Sequence, residues 1–280
     1  MNKERKVLIT ECADNKGLIA KITNICFNHQ LNIIRNDEFV DGEHNRFYMR
    51  TELEGVFSDT KLLNALKSEL PPHAQNRLVT KSRKRIVVMV TKEPHCIGEL
   101  LMKSVYGSLN AEIVAIIGNY PDLEELAEKF NIPFYHVSHK ASGRESQENN
   151  LKKIIDSYSP EYLVLAKYMR ILSPAFVEHY PNKIINIHHS FLPAFIGAKP
   201  YHQAYNRGVK IIGATAHFVN NNLDEGPIIS QDVIRVDHRH SANEMAQAGR
   251  QVEESVLTHA LQQVFNEKVF VYGNRTVVFD

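Results

Sequence analysis

Short apolar runs recur through the second part of the chain, and they restrict its fold more than any other feature of the sequence. Four such runs and two later ones lie at residues 86–90, 113–117, 162–165, 184–187, 212–219 and 228–233. Helical stretches separate them, and near-continuous runs of this kind are typical of strands buried on both faces of a parallel sheet. A long helix follows, opened by Ser241 and Glu244 at capping-box spacing. The sequence predicts an α/β domain with an open, mostly parallel, Rossmann-like sheet.

The first eighty residues follow a different pattern. Strand-like runs and helical faces alternate at residues 7–11, 18–26, 31–40, 46–53, 58–70 and 77–80. A turn signal at Asp41 and Gly42 joins the two central strands as a hairpin. The order βαββαβ predicts a ferredoxin-like unit. We therefore divide the chain into an N-terminal domain at 1–82 and a second domain at 83–280, with the basic run at 81–85 interpreted as a solvated linker.

Net charge and cysteine usage exclude several classes of protein. The 33 basic and 32 acidic side chains leave a formal net charge of +1, which provides no field for binding a nucleic acid backbone. Cys12, Cys26 and Cys96 form no CxxC pair and no zinc-ligand pattern, which favours a reducing compartment. No stretch has the pattern of a signal peptide or a membrane span. We expect a cytoplasmic protein with neither nucleic acid nor membrane as a partner.

Polar residues with catalytic potential come at the end of the predicted strand 184–187. Asn186 and His188 project to the same side of that strand, because side chains alternate along an extended chain. In an open α/β sheet the carboxyl ends of the strands border the ligand crevice. Two interpretations stay open at this point. Both residues take part in catalysis, or Asn186 caps a turn and His188 is a buried structural histidine.

A second polar segment supplies a carboxylate. Residues 217–227 comprise a strand end and a loop that contains Asp224 before a Gly-Pro turn. Asp224 can accept a hydrogen bond from His188, although aspartate is also common in ordinary turns. The remaining histidines are interpreted as structural or solvated: His202, His217, His238 and His240.

Together these two segments resemble a known family. The pattern Asn-Ile-His-x-Ser-x-Leu-Pro at 186–193, followed by His-Phe-Val and Leu-Asp-x-Gly-Pro at 217–227, resembles the folate-dependent formyltransferases. The resemblance implies an active-site trio of Asn186, His188 and Asp224. In this trio Asn186 and His188 stabilise the oxyanion that forms on the formyl group, and Asp224 holds His188 and shuttles protons. It implies neither a metal nor a bound prosthetic group.

The same resemblance implies a folate pocket. Residues 168–174 resemble the segment whose backbone grips the pterin ring in that family, and a loop after the active-site strand is well placed to cover substrate. The predicted substrate-binding residues are Arg170, Ile171, Leu172, Val177, Gly197, Asn220, Asn221, Asn222 and Leu223. Two of these residues have alternative interpretations. Arg170 forms an ion pair with a carboxylate at the surface, or Gly197 only allows the loop to turn.

The nucleophile is predicted from what the chain lacks. Glycinamide ribonucleotide formyltransferases have a glycine-rich turn after their first strand that binds the acceptor's phosphate. Residues 90–96 contain no glycine, while Glu93 adds negative charge and Pro94 removes a donor. The methionyl-tRNA formyltransferases are disfavoured too, because they have an RNA-binding domain after the catalytic one. Water is left as the expected nucleophile.

The N-terminal domain supports the same prediction. Asp14, Gly17 and Leu18 at the start of the first helix resemble the ACT domain, which often binds amino acids at a dimer interface. An ACT domain before a formyltransferase-like domain is the arrangement of the formyltetrahydrofolate deformylases, hydrolases that supply formate for purine synthesis and balance one-carbon folate pools. The resemblance implies an amino-acid effector at Asp14, Gly17 and Leu18 and a homo-oligomer.

His189 occupies the position of a proline in the transferases, so a role in placing the water is a further hypothesis; a solvent-facing loop histidine is the alternative. A competing prediction from another class of protein is a non-catalytic folate or amino-acid sensor that retains the fold. The presence of Asn186, His188 and Asp224 together argues against it, since a protein that only binds its ligand does not need all three.

Overall fold

The structure, a computed structural model, describes residues 3–139, 143–194 and 200–280, and these form two compact units. The first unit extends to Ser82, where the sequence predicted the boundary, and also includes Asn266–Phe270 and Phe279–Asp280. The second unit consists of Arg83–Phe265 and Val271–Val278. The two C-terminal pieces depart from the predicted division at 83–280. The buried Arg50 accounts for the first piece, since it donates to the backbone carbonyls of residues 266 and 267 at 3.1 and 3.0 Å.

Four antiparallel strands and two helices build the first unit, as the βαββαβ pattern predicted. The elements are β1 (Glu4–Ala13), α1 (Leu18–Asn28), β2 (Asn32–Asp41), β3 (Arg46–Gly55), α2 (Asp59–Glu69) and β4 (Gln75–Thr80). The strand order is β2-β3-β1-β4, and apolar side chains of both helices pack against one face of the sheet. The first helix begins after Gly17, which lies at a φ of 84° that favours glycine.

The second unit is an α/β domain around a seven-stranded sheet. Its elements are β5 (Lys84–Val90), α3 (His95–Val105), β6 (Ala111–Gly118), α4 (Glu124–Lys129), β7 (Phe134–His136), α5 (Arg144–Tyr158), β8 (Tyr162–Ala166), α6 (Pro174–His179), β9 (Ile184–His188), α7 (Pro200–Arg207), β10 (Ile211–Phe218), β11 (Ile228–Arg235) and α8 (Ala242–Phe265). A small hairpin, β12 (Val269–Tyr272) and β13 (Arg275–Val278), follows.

Strand order in the large sheet confirms the mostly parallel prediction and locates the ligand crevice. The order is β11-β10-β9-β8-β5-β6-β7, with β5 to β9 parallel and β10 antiparallel to both of its neighbours. The chain starts at β5, adds β6 and β7 on one side and then returns to add β8 on the other. The winding therefore reverses between β5 and β8, and such a reversal opens a crevice at the carboxyl ends of the strands.

Local sequence signals match the structure at one end of this domain and fail at the other. Ser241 and Glu244 form the predicted capping box, in which each backbone N–H donates to the other residue's side chain. The interpretation of 81–85 as a solvated linker was wrong for its second half. Lys84 is buried in β5, and Arg83 donates to the carbonyls of Ser104 and Ala111 at 2.7 and 2.6 Å. Among the helices described, none has both the length and the apolar character needed to cross a membrane.

Candidate active site

Asn186 and His188 lie in the second half of β9, at the carboxyl end of the parallel strands. Asn186 pairs with His217 of the antiparallel strand β10, and His188 pairs with Thr215. The two side chains share one face of the strand, as the alternation predicted, and both line the same cavity. His188 is buried and Asn186 is half-buried. The strand therefore presents an amide and an imidazole side by side to a space that can admit a ligand.

Asp224 reaches His188 from the loop after β10. Its Oδ2 lies 3.2 Å from Nδ1 of His188. Burial alone would raise the pKa of Asp224, but the hydrogen bond and charge of His188 outweigh it and keep that pKa below its ordinary value. The carboxylate can only accept, so Nδ1 of His188 carries the hydrogen and Nε2 is left for a ligand. That Nε2 is buried and has no partner among the residues that the structure describes.

His217 was interpreted as structural or solvated, but it belongs to this site. Its Nδ1 donates to the carbonyl of Phe218 at 2.9 Å, and Asn186 Nδ2 donates to its Nε2 at 3.3 Å. Burial lowers the pKa of His217, so the ring stays neutral and can accept from the amide. Its Nε2 also lies 3.8 Å from Oδ1 of Asp224. His217 thus orients Asn186, and its place at the start of the second motif was the signal that sequence reasoning passed over.

Backbone conformation holds Asp224 in the site. Asp224 itself has a φ of 57°, a left-handed conformation that few residues other than glycine adopt. Gly226, two residues on, packs so closely against β10 that an added Cβ would overlap the carbonyl oxygen of Phe218. Only glycine permits this approach, and the approach brings the carboxylate back to the imidazole. Strain of this kind persists where surrounding structure imposes it, as at functional sites.

A cavity of about 310 Å³ connects the trio to the predicted folate-binding residues. The predicted residues along its wall are Arg170, Ile171, Leu172, Val177, Asn220, Asn221, Asn222 and Leu223. Gly197 lies outside the described residues. Ile171 and Leu223 are apolar and more than half exposed, so they offer apolar surface at the cavity to a ligand. The structure therefore brings the predicted substrate-binding side chains together around one space.

The segment at 170–173 is held in place from α5. Arg144 donates to the carbonyl of Ile171 at 2.8 Å. Glu148, which is buried, accepts the backbone N–H of Ser173 at 2.9 Å and also the hydroxyl of that serine. These bonds fix the backbone of a segment whose residues 170–172 line the cavity. Arg170 is exposed, and no ion pair of its side chain is seen in the described parts of the chain.

His189 and Lys167 line the same cavity as His188. The ring centroids of His188 and His189 are 5.4 Å apart. Burial, reinforced by the positive charge of Lys167, lowers the pKa of His189 to about 4. His189 is therefore neutral at neutral pH and is not the solvent-facing loop histidine that the alternative interpretation required.

Behind Lys167, the ligand atoms of His95, Cys96 and Glu253 lie within 4.8 Å of one another, a spacing that suits a metal ion. The chemistry of the donors does not suit one. Burial raises the pKa of the Cys96 thiol well above its ordinary value, so the sulfur stays protonated. Lys167 Nζ already lies 3.1 Å from the Glu253 carboxylate, where it would repel a cation. We assign no metal to this group.

The residues predicted to bind an effector lie in the first unit, on the turn between β1 and α1. Leu18 is buried under the sheet, Gly17 provides the left-handed turn, and the backbone N–H of Asp14 donates to the carbonyl of Asn45 at 3.0 Å. This geometry forms a well-defined turn. The effector role of these residues stays a prediction.

Comparisons with known proteins agree with both units. Residues 84–261 match the family described as formyl transferase, and residues 6–71 match the ACT domain. A formyltetrahydrofolate deformylase of Haemophilus influenzae is 60% identical over 275 residues, which cover 98% of this chain and 99% of that protein.

Solved structures extend the comparison. A formyltetrahydrofolate deformylase from Pseudomonas syringae pv. tomato, 37% identical, superimposes with a TM-score of 0.94 over 100% of this chain and 95% of its own. Glycinamide ribonucleotide transformylase 1 from Symbiobacterium toebii, 26% identical, superimposes with a TM-score of 0.68 over 70% of this chain and 94% of its own. Similarity to the deformylase thus extends over the whole chain, and similarity to the transformylase over the larger part of it.

Proposed function

The chain belongs to the formyl transferase family and, within it, to the formyltetrahydrofolate deformylases, and we propose that it hydrolyses 10-formyltetrahydrofolate to formate and tetrahydrofolate. One observation carries the chemistry. The amide of Asn186 and the unpartnered Nε2 of His188 line a single cavity, with the ionised Asp224 behind the imidazole. An amide donor and an imidazole that donates from Nε2 once protonated, beside a carboxylate, suit a reaction in which negative charge develops on a formyl oxygen.

Hydrolysis divides into two steps at this site. Water adds through its oxygen to the formyl carbon, and the carbonyl oxygen takes up the electron pair as a tetrahedral oxyanion. Asn186 Nδ2 donates to that oxygen, and His188 Nε2 donates to it when protonated. The bond from carbon to the folate nitrogen then breaks, the nitrogen takes a proton, and formate leaves. Asp224 holds His188 through Nδ1 and passes protons between water and the leaving nitrogen.

His189 places the attacking water in this proposal. Its ring is neutral, because burial and Lys167 depress its pKa, so one ring nitrogen has a free lone pair to accept a hydrogen from water. It adjoins His188 in the wall of the cavity. His189→Ala should lower the kcat of hydrolysis while leaving KM for the folate close to that of wild type. An unchanged kcat would remove His189 from the mechanism.

Folate binding uses the wall opposite the catalytic trio. The free face of the backbone at 170–172 binds the pterin, and the exposed apolar side chains of Ile171 and Leu223 cover the flat ring system. The exposed guanidinium of Arg170 at the rim suits the carboxylate end of the folate. Asn220, Asn221 and Asn222 form the polar loop beside Asp224.

The remaining parts of the proposal concern context. The reaction uses only side chains and water, so it requires no metal and no prosthetic group. The ACT domain binds an amino-acid effector at the turn that contains Asp14, Gly17 and Leu18, and the chain assembles as a homo-oligomer in the cytoplasm. The formate feeds purine synthesis and the tetrahydrofolate returns to the one-carbon pool.

A direct assay tests the proposal. The protein is incubated with 10-formyltetrahydrofolate in the absence of any amine acceptor, and formate release is measured. We expect steady turnover that Asn186→Ala reduces by about 100-fold, the typical effect of removing one oxyanion donor. Turnover only after an amine is added would identify a transferase. Folate binding without turnover, unaffected by Asn186→Ala, would identify a sensor.

A further inference from the structure

Residues 168–177 form a segment whose two ends are buried and whose middle is exposed. Tyr168 and Phe176 belong to the apolar core around β5, β6 and β8. Between them Ile171 is 63% exposed, and residues 170–172 line the cavity that contains the catalytic trio. The proposed function uses the backbone of this middle part to bind the pterin. Its conformation therefore determines how well the folate fits.

The middle of this segment has few hydrogen bonds of its own. The backbone N–H of Met169 donates to the hydroxyl of Thr91 at 2.9 Å. For the backbone N–H groups of Ile171 and Leu172, no partner is seen in the parts of the chain that the structure describes. An exposed stretch with so few bonds keeps one conformation only if a neighbouring element holds it.

Glu148 of α5 holds this stretch at its C-terminal side. Glu148 is buried and shares one face of the helix with Leu151 and Ile155, which lie in the same core. Its Oε1 accepts the backbone N–H of Ser173 at 2.9 Å, and its Oε2 accepts the hydroxyl of that serine. Both contacts fix Ser173 from a helix that is itself packed against the sheet.

The same carboxylate holds the segment through a second side chain. Arg144, one helical turn before Glu148, places its Nε 3.3 Å from Oε1 of that residue. Arg144 Nη2 donates to the carbonyl of Ile171 at 2.8 Å. The ion pair restricts the guanidinium to an orientation that reaches this carbonyl. One buried carboxylate thus controls the backbone at residues 171 and 173, on either side of Leu172.

We propose that Glu148 is a positioning residue that keeps the backbone at 170–172 in its folate-binding conformation before the folate arrives. A segment that is already ordered loses little conformational entropy on binding, so the folate binds more tightly. The carboxylate is engaged with Ser173 and Arg144 and takes no part in the chemistry at the formyl carbon. The proposal rests on the proposed function, which assigns the pterin to this backbone.

Steady-state kinetics of formate release test this role. Glu148→Leu removes both acceptor oxygens at similar volume and should raise KM for 10-formyltetrahydrofolate on the order of tenfold. Loss of a hydrogen bond to a charged acceptor lowers the population of the ordered segment by about that factor. The kcat should stay within about twofold of wild type, because the catalytic trio is unchanged. Glu148→Gln, which keeps one acceptor oxygen, should restore most of the affinity.

Gln147→Leu is the matched control. Gln147 is the neighbouring buried residue of α5, and its amide donates to the carbonyl of Val137 at 3.2 Å, outside residues 170–173. This variant should be less stable in urea, yet its KM should match that of wild type. An equal rise in KM for Glu148→Leu and Gln147→Leu, or a fall in kcat of Glu148→Leu at unchanged KM, would overturn the proposal.

Two further measurements keep the proposal falsifiable. If Glu148→Leu does not fold, Ser173→Ala removes only the hydroxyl and should raise KM by about threefold; a KM equal to that of wild type would then overturn the proposal.

Binding of 5-formyltetrahydrofolate, a folate with the same pterin, is measured without turnover by titration calorimetry. Its dissociation constant should rise for Glu148→Leu, or for Ser173→Ala in its place, by the same factor as KM, and equal affinity in variant and wild type would overturn the proposal. A wild type that binds this folate but releases no formate would contradict the proposed function and leave the role of Glu148 supported by the binding difference.

Discussion

Two pairs of carboxylate and histidine lie at the carboxyl end of the sheet, and they differ in how many donors share the carboxylate. In the first pair, Asp224 holds His188 by one ring nitrogen, while the other has no partner among the described residues. In the second, Glu253 accepts from His95, Lys167 and Tyr201 together. The first pair leaves a ring nitrogen at the wall of a cavity, whereas in the second both carboxylate oxygens are occupied and the other ring nitrogen of His95 lies 3.5 Å from the Glu93 carboxylate.

The difference follows from where each carboxylate resides in the chain. Asp224 lies on a loop, in a left-handed conformation, beside a glycine that lets the loop approach β10. Glu253 lies in the middle of a long helix, where donors from three other elements surround it. A carboxylate on a loop can be aimed at one partner, whereas a carboxylate buried inside the domain must be fully paired to remain charged. A carboxylate beside an imidazole therefore holds a ring that lines a cavity in the first place and joins a buried group of three donors in the second.

Asp224→Asn should produce the largest effect of the changes considered. The amide preserves the shape of the side chain but no longer selects the ring orientation of His188, and kcat for formate release should fall by about 10³-fold or more. Unfolding by urea should be little altered. Glu225→Gln, on the same loop but exposed, is the matched control and should retain activity. A kcat within threefold, roughly, of wild type would show that the first pair does not act in the reaction.

Glu253→Ala should affect stability most. It leaves Lys167 and His95 buried without their shared partner, and the free energy of unfolding in urea should fall by about 3–5 kcal/mol. Glu254→Ala should change it by less than about 1 kcal/mol, because that residue is partly exposed. Equal losses in the two variants would mean that the second pair is no more than a surface interaction.

Acid should weaken the second pair over a defined pH range. The pKa of Glu253 in the folded protein is about 2, below its ordinary value of 4.5, so its contribution to stability is present above about pH 4.5 and is lost as pH falls toward 2. The full contribution is about 3 kcal/mol on this basis. Urea unfolding at a series of pH values should show a shallower decline for Glu253→Gln than for wild type. An equal fall in the free energy of unfolding of Glu253→Gln and wild type would contradict the lowered pKa of Glu253.

Tyr201→Phe should give the smallest of these effects. It removes one hydrogen bond to a charged acceptor and should lower the free energy of unfolding by about 2 kcal/mol. Formate release should persist, since the phenol takes no part in the proposed chemistry. Tyr205→Phe, an exposed tyrosine of the same helix, provides the reference for loss of a hydroxyl. A stability equal to that of the reference would remove Tyr201 from the group around Glu253.

Much of the fold was predictable because its signals are local. The alternation of apolar runs and helices predicted the mostly parallel sheet, and the capping box at Ser241 marked the start of α8. The basic run at 81–85 was misjudged because its charges suggested solvent, whereas Lys84 is paired with Glu161 at the start of a buried strand. Whether a charged side chain is buried depends on a partner that is distant in sequence, and no local pattern records it.

The candidate site divides in the same way. Asn186, His188 and Asp224 are carried by two short motifs, so the sequence alone identified them, and it also predicted that the strand would present Asn186 and His188 to one side. The role of His217 required the pairing of β9 with β10, which sets its ring against Asn186. The group around Glu253 required the complete domain, since Glu253 and His95 are 158 residues apart.

The sequence by itself therefore determined the class of fold and the family, and it predicted the catalytic trio, because strand periodicity and contiguous motifs are properties of neighbouring residues. Only the tertiary structure decided which nitrogen of His188 is free, what orients Asn186 and which donors surround Glu253. Those facts depend on burial and on partners from separate elements. In a low-dielectric interior, burial and such partners decide whether a charge is available or already satisfied.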